Sequence, residues 1–229
     1  MTADSPGFGL TRRLAAEGVG TALLLAIVVG SGVMGEALSG GNDAVALLLN
    51  TVSTGAGLFV LITLLGPVSG AHFNPLVTLL GAASGQLGRG ETLARIAVQV
   101  AGAVLGVFLA HVMFDQPLFQ VSGKVREGPG QVLSEAVATF GLLIVIQVGA
   151  RLAPGAVAGL VALYITAAYG FTASTAFANP AVTLARSLTD TFAGIAPASA
   201  PGFLVGQAAG AVAAALASSW LFGRSGAGT

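Results

Sequence analysis

No cysteine occurs anywhere in the 229 residues, which excludes a disulfide framework, a thiolate nucleophile and a cysteine-ligated metal. Two histidines are too few for a histidine-rich metal site, so no metal and no other cofactor is expected. Charge is also scarce. Nine basic and nine acidic residues cancel and make up 8% of the chain, against roughly 25% in an ordinary soluble domain. No polybasic surface exists to hold nucleic acid, and that class of partner is excluded. What fills the chain instead is apolar: 55% hydrophobic residues and a mean hydropathy of +0.89, the composition of a membrane protein. Glycine, at 34 residues, is about twice its usual share of ~7%. In an apolar chain that points to helices packed backbone to backbone through small residues.

Apolar stretches of about 20 residues, the length that spans a hydrocarbon core, lie near 14–34, 44–66, 92–114, 131–150, 155–171 and 201–222. The first follows Arg12 and Arg13 like a signal peptide, but it is too long for a signal core and lacks a convincing cleavage site, so it reads as a retained helix. Basic residues stay on the cytoplasmic side of short loops. With the N-terminus inside, Arg12, Arg13, Arg89, Arg95, Arg151 and Arg224 fall on or near inner loops, against Lys124 and Arg126 on an outer one. The expectation is a multi-pass protein of a bacterial inner membrane with both termini cytoplasmic.

Two segments, 66–85 and 170–190, are too apolar for solvated loops and too short to cross. Each has a small-residue polar entry, then Asn-Pro, then about three apolar helical turns. Asparagine is a favoured helix cap, and proline fits the first turn, where its missing N–H costs nothing. Each segment therefore reads as a half-helix beginning at Asn-Pro; non-helical backbone at membrane depth is tolerated only where it is buried or lines a watery cavity. The two also match each other, SGAHFNPLVTLL (69–80) against TAFANPAVTLAR (175–186), with N-P-x-V-T-L in common. Upstream, each half carries a glutamate near the start of a span, Glu17 and Glu135. Downstream, each carries Q-x-x-G-A, at Gln99 and Gln207, 25 and 28 residues after its asparagine. Three spans per half is odd, so the halves insert with opposite topology and their special segments meet near the midplane. The chain is read as a single membrane channel domain, 1–229, with repeat halves of about 12–114 and 131–222 and flexible termini at 1–10 and 223–229.

With these twin Asn-Pro boxes and flanking helices, the sequence resembles the aquaporin (major intrinsic protein) family over roughly residues 12–222. The resemblance implies an all-α membrane fold, six transmembrane helices plus two re-entrant half-helices in an inverted repeat, one pore per subunit, assembled as homotetramers in the lipid bilayer. Of the family's Asn-Pro-Ala signatures, Asn179-Pro180-Ala181 matches fully, whereas Asn74-Pro75-Leu76 has leucine in the last place, adding bulk beside the meeting point. The family's outer filter normally has an arginine directly after the second box; here that residue is Val182. Counting back from the asparagines by the family's offsets puts the other filter positions at Thr54, Ala167 and Ala176. Arg186, four residues on, is one helical turn beyond Val182, and its standing in for the missing arginine cannot be assumed. A filter of four small residues implies a wide, largely apolar opening. It would pass small uncharged solutes, namely glycerol-like polyols, urea and neutral metalloid hydroxides such as arsenous acid, with water as well. A strict water channel, or a non-conducting structural protein of the same fold, is the alternative.

Facing one pore from opposite sides, Asn74 and Asn179 would each offer an amide donor, and each half-helix would aim its positive end at the centre. A water there donates away from the centre in both directions, which interrupts a proton wire and disfavours cations. Two plain helix caps without a pore is the blander alternative, and the symmetric duplication weighs against it. Glu17 and Glu135 would each cost about 2.5–3.5 kcal/mol in a membrane unless satisfied; support of the re-entrant backbone, as the resemblance also implies, is preferred to a proton relay. The resemblance places His72 beside the cytoplasmic part of the pore, where lining it passively and gating it by titration near neutral pH both remain open. His111 reads as a satisfied helix-end histidine, and Gly102, Gly106, Gly206 and Gly210 as helix-crossing points. An intramembrane hydrolase built on Ser69 and His72 lacks the G-x-S-x-G elbow and any counterpart in the second box. A coupled transporter would have only Glu17 and Glu135 as coupling carboxylates.

Overall fold

A computed structural model describes residues 7–222. The tails expected at 1–10 and 223–229 lie largely outside that range, and Leu10 already opens the first helix. The described residues form α1 (Leu10–Leu38), α2 (Asp43–Ser69), α3 (Pro75–Ala83), α4 (Arg89–Met113), α5 (Pro129–Leu152), α6 (Val157–Phe171), α7 (Pro180–Arg186) and α8 (Ala200–Phe222). A short 3₁₀ turn, Pro154–Ala156, leads into α6. Six of these helices, all but α3 and α7 and with α6 taken together with its leading turn as Pro154–Phe171, are long and apolar enough to cross a membrane, in the places the hydropathy predicts. Most overrun the predicted ends because a helix continues into the interface after its apolar core stops, whereas α4 stops at Met113 and α6 itself begins at Val157. In α2 the helix runs through Pro67, which sits in the last turn, and ends where Gly70 takes a left-handed φ of 89° and donates to Gly66 O.

The two halves are built alike. In the first, α1 packs on α4 and α2; in the second, α5 packs on α8 and α6. The α2–α6 contact joins the halves, and each half-helix also reaches across: α3 touches α8, α7 touches α4, and the two touch each other. Glycine permits the closest of these packings. Gly102 lies on the backbone of Gly18 and Gly210 on that of Ala136, so that a Cβ at either would overlap the facing carbonyl oxygen. Gly18 and Ala136 are the residues immediately after Glu17 and Glu135. The close crossing thus delivers each glutamate to the interior of its half. Large apolar side chains such as Leu64, Leu93, Leu105, Leu163 and Leu216 stay exposed, an exterior suited to hydrocarbon. With six crossings, both ends of the described chain lie on one face, and the loops 114–128 and 187–199 lie on the other.

Candidate functional site

The half-helices α3 and α7 are nine and seven residues long, roughly 14 and 10 Å at ~1.5 Å per residue, less than half a bilayer's core. Each starts at a proline with an asparagine cap. Asn74 Oδ1 accepts from Leu76 N at 2.9 Å, and Asn179 Oδ1 from Ala181 N at 3.0 Å and Val182 N at 3.3 Å. The amide nitrogens then cross over. Asn74 Nδ2 donates to Ala178 O, the residue before the other asparagine, and Asn179 Nδ2 donates to Phe73 O, both at 2.8 Å. This reciprocal pair clamps the two helix starts together. An amide carries two N–H groups, so each asparagine spends one on the clamp and keeps one, and both residues line the same internal cavity.

The segments that precede the asparagines are irregular in the same way. Positive φ occurs at Ala71 and Phe73, and at the corresponding Ala176 and Ala178, a conformation that costs non-glycine residues of order 1–3 kcal/mol unless the surroundings fix it. The glutamates supply that fixing. Glu17 accepts from His72 N at 3.0 Å and Phe73 N at 2.8 Å; Glu135 accepts from Phe177 N and Ala178 N, both at 2.9 Å. In a planar trans peptide the C=O points opposite the N–H. The carbonyls of Ala71, His72, Ala176 and Phe177 therefore face away from the glutamates, and all four residues border the cavity. The result is a row of acceptors leading to the two asparagines from either side.

Behind each glutamate stands a second matched pair. Gln99 Nε2 bridges Glu17 Oε2 and Thr78 Oγ1, each at 2.9 Å. Gln207 Nε2 bridges Glu135 Oε2 at 2.5 Å and Thr183 Oγ1 at 2.8 Å. Both glutamates are fully buried, and their lone pairs are occupied by these donors, which fits backbone support. Around the glutamates the halves differ. Glu17 also meets Arg95 at 3.5 Å, and Arg95 donates to Ser69 O at 2.5 Å while pairing with Glu91 at 2.7 Å; among the described residues no cation forms an ion pair with Glu135. His72 borders both the narrow cavity and a broader vestibule on the face of the termini, with Nδ1 3.1 Å from Thr78 Oγ1. His111 is buried, its ring nitrogens 2.9 Å from Leu118 O and from Thr189 Oγ1.

Of the expected filter, the structure brings together Thr54, Ala176 and Val182 in the cavity wall. Ala167 is a correction: it is exposed on the outer side of α6, and the α6 residues on either side of it that reach the wall are Ile165 and Tyr169. Two residues along a helix is about 200° of rotation, so an offset error of two moves a residue from one face to the other. Tyr169 Oη comes within 3.5 Å of Thr54 Oγ1. Phe177 and Arg186 complete this end of the wall. The wide opening expected from four small side chains is therefore not what lines it. The water-accessible space of the narrow cavity is about 70 Å³, against about 740 Å³ for the vestibule. Leu76 is half-buried and, like Pro75, Pro180 and Ala181, does not border the cavity, so its bulk falls behind the meeting point. Two signals in the sequence mark what was missed. Thr78 and Thr183 are the threonine common to both boxes, and Arg186 is the one cation within the second box's apolar run.

Residues 4–154 match the model of the family described as "Major intrinsic protein". The chain belongs to the major intrinsic protein family. It is 58% identical over 214 residues to aquaglyceroporin AqpS of Rhizobium meliloti (strain 1021), a match covering 93% of this chain and 91% of that one. It is 31% identical to the probable aquaporin AqpM of Archaeoglobus fulgidus, covering 93% and 96%. Among solved structures it resembles the X-ray structure of the aquaglyceroporin from Plasmodium falciparum with a TM-score of 0.67 and 19% identity, covering 91% of this chain and 93% of that one, which bears on the fold. As a member of the major intrinsic protein family, the chain is a multi-pass membrane channel for small solutes and not an enzyme.

Proposed function

We propose that this channel carries glycerol-like polyols, urea and neutral metalloid hydroxides such as arsenous acid, together with water, passively and downhill. The observation that carries the reading is the reciprocal clamp of Asn74 and Asn179 at 2.8 Å on each side, set in a cavity whose remaining wall is mostly apolar. Leu24, Val28, Leu58, Leu142, Ile146 and Ile165 flank the row of acceptors and the two spare amide donors. A polyol presents hydroxyls along one edge and C–H groups along the other, and that pairing of a polar row with a greasy wall suits it. The name aquaglyceroporin borne by the relative at 58% identity supports the same cargo class.

Thr54, Ala176 and Val182, with Tyr169 in the place expected of Ala167, form the outer filter, and His72 lines the inner approach. The protein sits in the inner membrane of a bacterium with both termini cytoplasmic, as the distribution of arginines favours, and assembles as a homotetramer in the bilayer. Stopped-flow light scattering on proteoliposomes tests the proposal. Glycerol, urea and arsenous acid should each enter faster than into empty vesicles. Fast water entry with all three solutes excluded would overturn the cargo assignment, and absence of any flux would overturn conduction itself.

A further inference from the structure

On the face opposite the termini, three cations hold three successive carbonyls of one loop. Lys124 Nζ donates to Phe192 O at 2.8 Å, Arg186 Nε donates to Ala193 O, and Arg126 Nε donates to Gly194 O at 2.9 Å. Two of them, Lys124 and Arg126, are supplied by the loop before α5 and lie nearer the surface. Arg186 is different. It is 2% exposed, belongs to the cavity wall alongside Val182, Tyr169 and Thr54, and lies with Cζ 3.4 Å from the centroid of the Phe177 ring. Among the described residues no carboxylate forms an ion pair with it. Its Nη1 is buried without a hydrogen-bond partner in the protein.

A loop anchor would need only the Nε bond to Ala193 O. It gives no reason to bring a whole guanidinium into the wall of a narrow cavity, lay it on an aromatic face, and leave one of its donors unspent, at a cost of about 1–3 kcal/mol or more for a charged group. We infer that Arg186 is the fixed cation and polar donor of the filter, reaching the wall from the last turn of α7 where Val182 in its first turn offers only a methyl surface. Resting on the reading of the chain as a solute channel, this assigns the filter two functions. The positive charge repels cations in a space too narrow to screen it, and Nη1 offers a hydrogen bond to an oxygen of a passing neutral solute. Tyr169, beside the guanidinium, and Thr54 supply further polar atoms of the same wall, and Phe177 and Val182 the apolar ones.

Urea and guanidinium have nearly the same size and shape and differ by one charge, so guanidinium flux relative to glycerol and urea reads the charge of the filter and little else. In proteoliposomes the wild type should pass glycerol and urea and exclude guanidinium. Arg186→Gln should raise the guanidinium-to-glycerol ratio at least tenfold, the factor that corresponds to about 1.4 kcal/mol. Adding Val182→Arg to that variant should restore exclusion from the other turn of the helix. An Arg186→Gln channel that carries glycerol with an unchanged ratio overturns the inference while leaving the solute-channel reading intact. A wild type that carries no solute overturns both.

Arg186→Lys gives a second test that survives a folding defect in the glutamine variant, since lysine keeps both a donor for Ala193 O and a charge. Arginine does not deprotonate in proteins, whereas a lysine buried at this place titrates below its ordinary ~10.4. The groups facing it are Tyr169 from α6, Arg126 and Lys124 from the loop, and Glu135 from α5, all shared with the wild type. The ratio should climb between pH 7 and pH 9.5 in Arg186→Lys and stay level in the wild type. A level profile equal to the wild type's in the lysine variant overturns the assignment.

Discussion

At the residue scale, two asparagines and one valine carry most of what can be tested. The clamp depends on an amide that both accepts from its own helix start and donates across to the other. Aspartate can do only the first. Asn179→Asp would set a carboxylate oxygen against Phe73 O, where the structure has a 2.8 Å donor contact, and would bring a negative charge to the centre. The expected outcome is a loss of about 1–3 kcal/mol, the cost of leaving a buried acceptor unmatched, read as earlier thermal loss of the monodisperse peak in detergent. Guanidinium exclusion should fall as well. Val182→Arg acts oppositely: it adds bulk and a second guanidinium beside Arg186 in a cavity of about 70 Å³. Glycerol and arsenous acid flux should drop at least about tenfold, within the range that small changes of pocket fit produce, with water falling less. Unchanged solute flux in a well-folded Val182→Arg channel removes Val182 from the filter.

At the element scale, each half-helix hangs on one buried carboxylate. Glutamine in place of glutamate keeps the shape but turns one acceptor oxygen into a donor, facing a backbone N–H that also donates. Glu135→Gln should cost about 1–3 kcal/mol. Glu17→Gln should cost more, because it also takes the counter-charge from Arg95, 3.5 Å away; removing one partner of a buried pair costs about 3–5 kcal/mol, moderated here by Arg95's remaining bond to Glu91. Thermal denaturation of the two variants in the same detergent orders them, and equal losses would show that the arginine contributes nothing to its half. The asymmetry could not be read in the sequence. Glu17, Glu135, Gln99 and Gln207 stood out because they repeat, and so did Asn74 and Asn179, whereas Arg95 has no counterpart and looked like an ordinary inner-loop charge. The same logic explains Ala167. Both boxes have the same spacing just before asparagine, but residues 172–178 separate α6 from Asn179 where only residues 70–73 separate α2 from Asn74, and with the repeat broken by that difference in length the α6 position was assigned two residues away from Tyr169. The wall differs from the four small side chains expected for a related reason: that reading left out Phe177 and set Arg186 aside, and these enter the wall from the irregular segment before α7 and from its last turn.

For the whole molecule, the inverted repeat places the narrow cavity between two unlike faces, and the absence of cysteine makes that arrangement directly measurable. Mercurials and other thiol reagents should leave the wild type's flux untouched, since there is no thiolate to attack. A single cysteine can then be placed at either end of the path. Val182 borders the cavity toward the loops 114–128 and 187–199, whereas Val157 borders both the cavity and the vestibule on the face of the termini. Between them lie Asn74 and Asn179. A charged, membrane-impermeant thiol reagent supplied outside intact cells should reach Val182→Cys and block its glycerol flux. It should not reach Val157→Cys, because the cysteine lies beyond both the filter cation and the asparagine clamp. In inside-out vesicles the preference should reverse. Modification of Val157→Cys from outside at the rate of Val182→Cys would mean that charged molecules pass the centre freely. The opposite preference in intact cells would mean that the termini face outward, against the arginine distribution. Only block of the first variant from outside and of the second from inside agrees with a continuous path, constricted in the middle, whose two ends are set apart by an odd number of crossings in each half.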